Sequence, residues 1–175
     1  MTRWPLNLGF FVTNNDILRR LRYTFDFSDS KMIDLFKLMD VEVDREQVSN
    51  WLKKDDDESY INCTDKQFAT FLNGLIIDKR GKQEGPLPEI ENKLNNNIVL
   101  RKLKIALNLQ NDEVLALLNQ AGLSLSKHEL SAFFRRADHK HYRACKDQVL
   151  RNFLQAIQLK YRADTDEPAF EWPTP

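Results

Sequence analysis

The sequence predicts an all-α protein built as a tandem duplication of one small four-helix domain, and three observations carry that expectation. Residues 14–80 reappear, with no insertion or deletion, as residues 96–162, an offset of 82 positions. Asn14-Asn15 falls on Asn96-Asn97, Leu18-Arg19 on Leu100-Arg101, Ser49 on Ser131, Tyr60 on Tyr142, Cys63 on Cys145, and Phe71-Leu72 on Phe153-Leu154. Apolar residues within each copy recur at helical spacing. The only strand-like alternation, Val41-Glu42-Val43, is three residues long.

Taken in order, the first helix of each copy runs from an Asn-Asn cap, at Asn14-Asn15 in the first copy. It carries Ile17, Leu18, Leu21 and Phe25, matched by Val99, Leu100, Leu103 and Leu107. The second begins near Ser28 to Ser30, or Asn111 to Asp112, and presents Met32, Leu35 and Phe36, or Val114, Leu117 and Leu118; Asp40 or Gly122 ends it. The third opens on capping boxes, Asp44-x-x-Gln47 and Ser126-x-x-Glu129, and presents Val48, Trp51 and Leu52, or Leu130, Phe133 and Phe134. After a polar loop of about ten residues, Thr64-x-x-Gln67 caps a fourth helix bearing Phe68, Phe71, Leu72 and Leu75. Its counterpart bears Leu150, Phe153, Leu154 and Ile157.

The chain therefore divides into an N-terminal extension (1–13), a first repeat (14–80), a linker (81–95), a second repeat (96–162) and a tail (163–175). The linker has the Gly, Pro and charge of a connector, while Leu87, Ile90 and Leu94 are placed to dock on a neighbour. The tail, acidic and containing Pro168, Pro173 and Pro175, is expected to be mobile.

With 30% charged and 42% hydrophobic residues, the composition excludes disorder of the whole chain. No apolar run approaches the ~20 residues of a membrane span, and no cleavage site follows the short apolar patch near the start. Two cysteines at equivalent places belong to the domain plan rather than to a mutual disulfide, so the expected compartment is the cytoplasm. The net charge of zero is a cancellation. Residues 14–80 carry 11 basic and 14 acidic side chains, a net of −3, whereas residues 96–162 carry 12 and 5, a net of +7. One scaffold therefore presents two electrostatic faces.

The segments Asn14-Asn-Asp-Ile-Leu-Arg-Arg-Leu-Arg-Tyr23, Phe71-Leu-Asn-Gly-Leu-Ile-Ile-Asp-Lys-Arg-Gly81, Asn95-Asn-Asn-Ile-Val-Leu-Arg-Lys-Leu-Lys104 and Asp138-His-Lys-His-Tyr-Arg-Ala-Cys145 resemble the YehS-like family of bacterial proteins. The resemblance spans about residues 13–162 and implies a tandem pair of one helical domain of unknown function in a bacterial cytoplasm. It implies no activity or catalytic residue. Members begin just before the first Asn-Asn, where this chain has Val12, so residues 1–11 are expected to reflect an upstream start.

No catalytic constellation stands out. His139, His141 and Cys145 form H-x-H-x3-C with no fourth ligand nearby, and the first copy has Asp57, Ser59 and Cys63 at those places. A Cys145 nucleophile would need a base held by a third group. Asp55-Asp56-Asp57-Glu58 reads as a solvated loop, and five scattered glycines form no phosphate loop. The expectation is a non-enzymatic protein without metal or cofactor.

The second copy concentrates Lys127, Arg135, Arg136, His139, Lys140, His141, Arg143 and Lys146 around its third helix and the following loop. Such a set can neutralise several phosphates, and the helix order loosely resembles a helix-turn-helix, so nucleic acid is the expected partner. The turn, Ala121-Gly-Leu-Ser-Leu-Ser126, is longer than the usual tight one, and Glu129 falls on the outer face of the third helix. The alternatives are an adaptor whose basic repeat binds an acidic protein surface, or a basic face that packs on the acidic first copy. Oligomeric state is not legible.

Overall fold

The computed structural model describes residues 12–162; the expected extension up to residue 11 and the tail from residue 163 lie outside the described residues. Among the described residues there are eight α-helices and no strand. The first repeat contributes α1 (Asn14–Phe25), α2 (Asp29–Lys37), α3 (Arg45–Leu52) and α4 (Asp65–Arg80). The second contributes α5 (Asn96–Ala106), α6 (Asn111–Gln120), α7 (Lys127–Phe133) and α8 (Asp147–Tyr161). Every helix of the second repeat starts 82 residues after its counterpart, so the duplication holds helix for helix.

Local chemistry sets these boundaries. Thr13, not the Asn pair, caps α1: its side chain accepts from the Asp16 N–H (3.1 Å) while Asp16 accepts from the Thr13 N–H (3.2 Å). Asn95 caps α5 by accepting from the Ile98 N–H at 2.9 Å. Ser28, Asp44, Thr64 and Ser126 cap α2, α3, α4 and α7, and only Thr64 with Gln67 closes a reciprocal box among these four. The chain leaves α1 and α5 through left-handed residues, Asp26 (φ 54°) and Asn108 (φ 52°), and leaves α2 and α6 through Asp40 (φ 56°) and Gly122 (φ 87°).

Within each repeat the second helix packs on the third and fourth. The first core is aromatic: Phe36 stacks on Trp51 (5.3 Å between centroids) and meets Phe71 (6.0 Å). In the second repeat Leu118, Phe133 and Phe153 fill those places, all buried. Linker residues Leu87, Ile90 and Leu94 are half-buried, and Leu94 packs on the core.

The repeats meet reciprocally. The fourth helix of the first packs on the first helix of the second, α4 on α5, and α8 packs on α1 in the same way. Two aspartates at the helix starts carry the same reciprocity: Asp65 accepts from the Leu94 N–H (2.9 Å) and Asp147 from the Val12 N–H (3.4 Å). Val12 and Leu94 are themselves 82 residues apart. Such exchange is the mark of an isologous, pseudo-two-fold interface inside one chain.

Candidate functional site

The basic loop of the second repeat, residues 134–146, is bracketed by an asparagine pair. Asn97, 3% exposed on α5, donates through Nδ2 to the Phe133 carbonyl (3.0 Å) and the Arg143 carbonyl (2.7 Å). Its Oδ1 accepts from the Cys145 N–H at 2.9 Å. Asn96 donates to the Cys145 carbonyl (3.0 Å) and to Asp147 (2.7 Å). Asn14 and Asn15 make the same bonds in the first repeat, to Cys63, Asp65, Trp51 and Ile61. A pair read from the sequence as a cap is thus an internal clamp holding the ends of the loop to the first helix. The available signal was two adjacent polar residues repeated at an offset of 82, one of them falling on the apolar face.

Inside the loop, the His139 N–H donates to the Arg136 carbonyl (2.9 Å) and the Tyr142 N–H to the His139 carbonyl (2.9 Å). These turns project the basic side chains outward. Of the eight predicted residues, Lys127, Arg136, His139, Lys140, His141, Arg143 and Lys146 are exposed, and Arg135 is half-buried, donating to the His141 carbonyl at 3.2 Å. Two carboxylates pair with the set, Asp112 with Lys127 (3.6 Å) and Asp138 with Arg136 (3.1 Å). Both pairs are solvated and hold charge weakly. Among the described residues none of the eight forms an ion pair with the first repeat, so the basic face is not neutralised by the acidic copy. The corresponding first-repeat loop carries Asp55, Asp56, Asp57 and Glu58, all exposed.

Cys145 is 5% exposed, and burial, with Asp147 adding to it, pushes its thiol up to about 12. Its Sγ lies 3.7 Å from the Lys146 carbonyl. A thiol held protonated inside the fold is not a ready nucleophile. His139 turns its Nδ1 to the His141 N–H (3.0 Å), and among the described residues no three His, Cys, Asp or Glu side chains converge as metal ligands. Among the described residues, too, no helix is long and apolar enough to cross a membrane.

Beside the loop, at the α4/α5 seam, lies a cleft of about 470 Å³ that the sequence did not reveal. Ile98, Arg101 and Ile105 of α5 line one wall, and Arg135, Ala137 and Tyr142 of the loop line another. A second, more open hollow shares Arg135 and Tyr142 with it and includes Lys140, His141 and Arg143.

Residues 14–81 and 96–163 each match the family described as "Protein of unknown function (DUF1456)". The protein of Escherichia coli (strain K12) described as "Uncharacterized protein YehS" is 43% identical over 150 residues, which span 85% of this chain and 96% of that relative. No solved structure matches the chain.

Proposed function

The chain belongs to this DUF1456 family as a tandem pair of its domain, and on that scaffold we propose that it binds nucleic acid through the basic loop of its second repeat. The observation that supports the reading is the exposure of seven of the eight basic side chains, with no ion pair to the first repeat among the described residues. A polyanion replaces the counterions such a surface would otherwise hold, and the gain grows with the number of phosphates met. Only Lys127 of the eight lies on α7, which is seven residues long. The charge is thus presented by the loop, an arrangement suited to tracking a phosphate backbone rather than to laying a recognition helix in a groove.

The test is binding of labelled DNA and RNA at low ionic strength by the parent protein and by a variant with Arg136, Arg143 and Lys146 changed to Glu. Lys37→Glu and Lys54→Glu, at exposed positions of the first repeat, serve as controls. Binding lost in the triple variant and kept in the controls is expected. A parent protein that binds neither nucleic acid, or a triple variant that binds as the parent does, overturns the reading. An acidic polypeptide bound in place of the oligonucleotides would establish the adaptor alternative.

A further inference from the structure

The duplication supplies an internal control for the cleft at the α4/α5 seam. In the first repeat Arg19 is neutralised by Asp16 at 2.7 Å, with side-chain exposures of 17% and 12%, and it also donates to the Lys53 carbonyl at 3.3 Å. Burial there raises the Tyr60 hydroxyl above its ordinary value, with Asp16 and Asp55 adding to it. At the equivalent places of the second repeat stand Ile98 for Asp16 and Ala137 for Asp55, while arginine is kept at Arg101, tyrosine at Tyr142, and Lys53 becomes Arg135. Both carboxylates have gone and the cations and the ring remain. Arg101 is exposed and has no hydrogen-bond or ion-pair partner among the described residues.

The two seams also differ in how they close. At α1/α8 the Arg162 guanidinium lies 3.9 Å over the Tyr23 ring and donates to the Tyr23 carbonyl. At α4/α5 the counterparts are Arg80, which is exposed, and Ile105, an apolar side chain left 46% exposed at the rim of the cleft. One further cation, Lys102, is occupied by Glu91 (2.8 Å) and Asn73 (2.5 Å). The cleft therefore offers two guanidinium groups over apolar and aromatic walls, in a volume of about 470 Å³ that is within the range of small-ligand sites.

Resting on the nucleic-acid reading above, we infer that this cleft receives one unpaired nucleotide of a single strand, its base against Tyr142, Ile98 and Ile105 and its phosphate toward Arg101 and Arg135. A phosphate alone would need no apolar wall, and an acidic side chain would offer the isoleucines and the ring nothing flat to cover. A nucleotide held in a duplex keeps its base stacked and cannot enter, whereas an unpaired one stacks on an aromatic ring beside arginine. The basic loop, which shares Arg135 and Tyr142 with the cleft, would carry the neighbouring phosphates.

The test restores the first repeat's chemistry to the second. Ile98→Asp places a carboxylate beside Arg101 in a pairing the fold already accommodates at Asp16 and Arg19. Arg101→Gln, on an exposed side chain, is the second variant. Affinity is read by fluorescence anisotropy for a labelled oligothymidylate, a matched duplex, thymidine monophosphate and an oligoglutamate peptide, with thermal melting to confirm folding. The expected result is tighter binding of the single strand than of the duplex, weakened about tenfold by each variant, the order expected for losing one charge-assisted contact to phosphate, with duplex binding little changed. Equal affinity for strand and duplex, untouched by the variants, overturns the cleft assignment and leaves the basic loop standing. No binding of any oligonucleotide removes both readings. Cleft-dependent binding of the monophosphate or the peptide without the oligonucleotides overturns the assignment in favour of a free nucleotide or a protein.

Discussion

At the scale of single residues, the asparagine clamp and the buried thiols govern how the loop is held. Asn97→Ala leaves the Phe133 and Arg143 carbonyls and the Cys145 N–H without their partner. The Phe133 carbonyl and the Cys145 N–H are buried and cost about 1–3 kcal/mol each when orphaned, while the Arg143 carbonyl is only part-buried, so a loss of at least about 2 kcal/mol is expected in denaturant titration. A loss under about 1 kcal/mol would mean that water replaces the clamp. Both cysteines tie stability to alkaline pH. Burial, with Asp65 and Asp147 adding to it, pushes the Cys63 and Cys145 thiols from 9.0 to about 12. Below pH 9 both states are protonated and the full contribution is present; above it the unfolded chain releases protons that the fold retains, so stability falls as pH rises toward 12. A Cys63→Ala, Cys145→Ala double variant should lose less stability than the parent between pH 8 and pH 10.5. Identical alkaline profiles would show that neither thiol is shielded.

At the scale of elements, helix starts were largely legible and helix ends less so. Asp44, Thr64 and Ser126 read directly as caps because a short polar oxygen at that place satisfies an otherwise unpaired N–H, and the cap of α2 proves to be Ser28, the first of the three residues where its start was expected. Thr13 was missed because the Asn pair beside it is also made of capping residues, and only burial separates clamp from cap. Asp26 and Asn108 in left-handed geometry leave little trace in periodicity. Packing distance was invisible as well. A Cβ on Gly74 of α4 would meet the Leu35 carbonyl oxygen of α2 at 1.9 Å, whereas Ala156 fills the equivalent place on α8. Gly74→Ala should therefore destabilise by about 1–3 kcal/mol through overpacking, against a helix-propensity gain of about 1 kcal/mol. A higher melting temperature in that variant would mean that α2 moves aside freely. Phe153→Ala, which empties a fully buried site, is expected to cost about 3–5 kcal/mol, and an unchanged melt would place that face of α8 outside the core.

At the scale of the whole molecule, the reciprocal seams make one body of two copies with opposite charge, and on the reading proposed above that asymmetry would direct a polyanion to the second. That asymmetry was legible in residue counts alone, −3 against +7, because surface charge survives folding largely unpaired. The cleft was not legible, since it joins Asn73 and Ile76 of α4, Ile98 and Arg101 of α5, and Tyr142 of the distant loop across a seam that no local pattern reports. What distinguishes it from the first repeat is the replacement of Asp16 and Asp55 by Ile98 and Ala137, a difference that bears on a shared site only once the fold brings both positions beside Tyr142. Whether the basic loop meets phosphates is measured most directly by the salt dependence of oligonucleotide affinity. A site of four contacts should give a slope of log affinity against log salt of about −2.8 for a single strand and about −3.6 for duplex DNA. A single Arg143→Gln variant, which keeps the other contacts, should flatten it by about 0.7 for a single strand or about 0.9 for duplex DNA. A parent slope near zero, or no binding even at low salt where such contacts are strongest, would mean that the loop meets no phosphates.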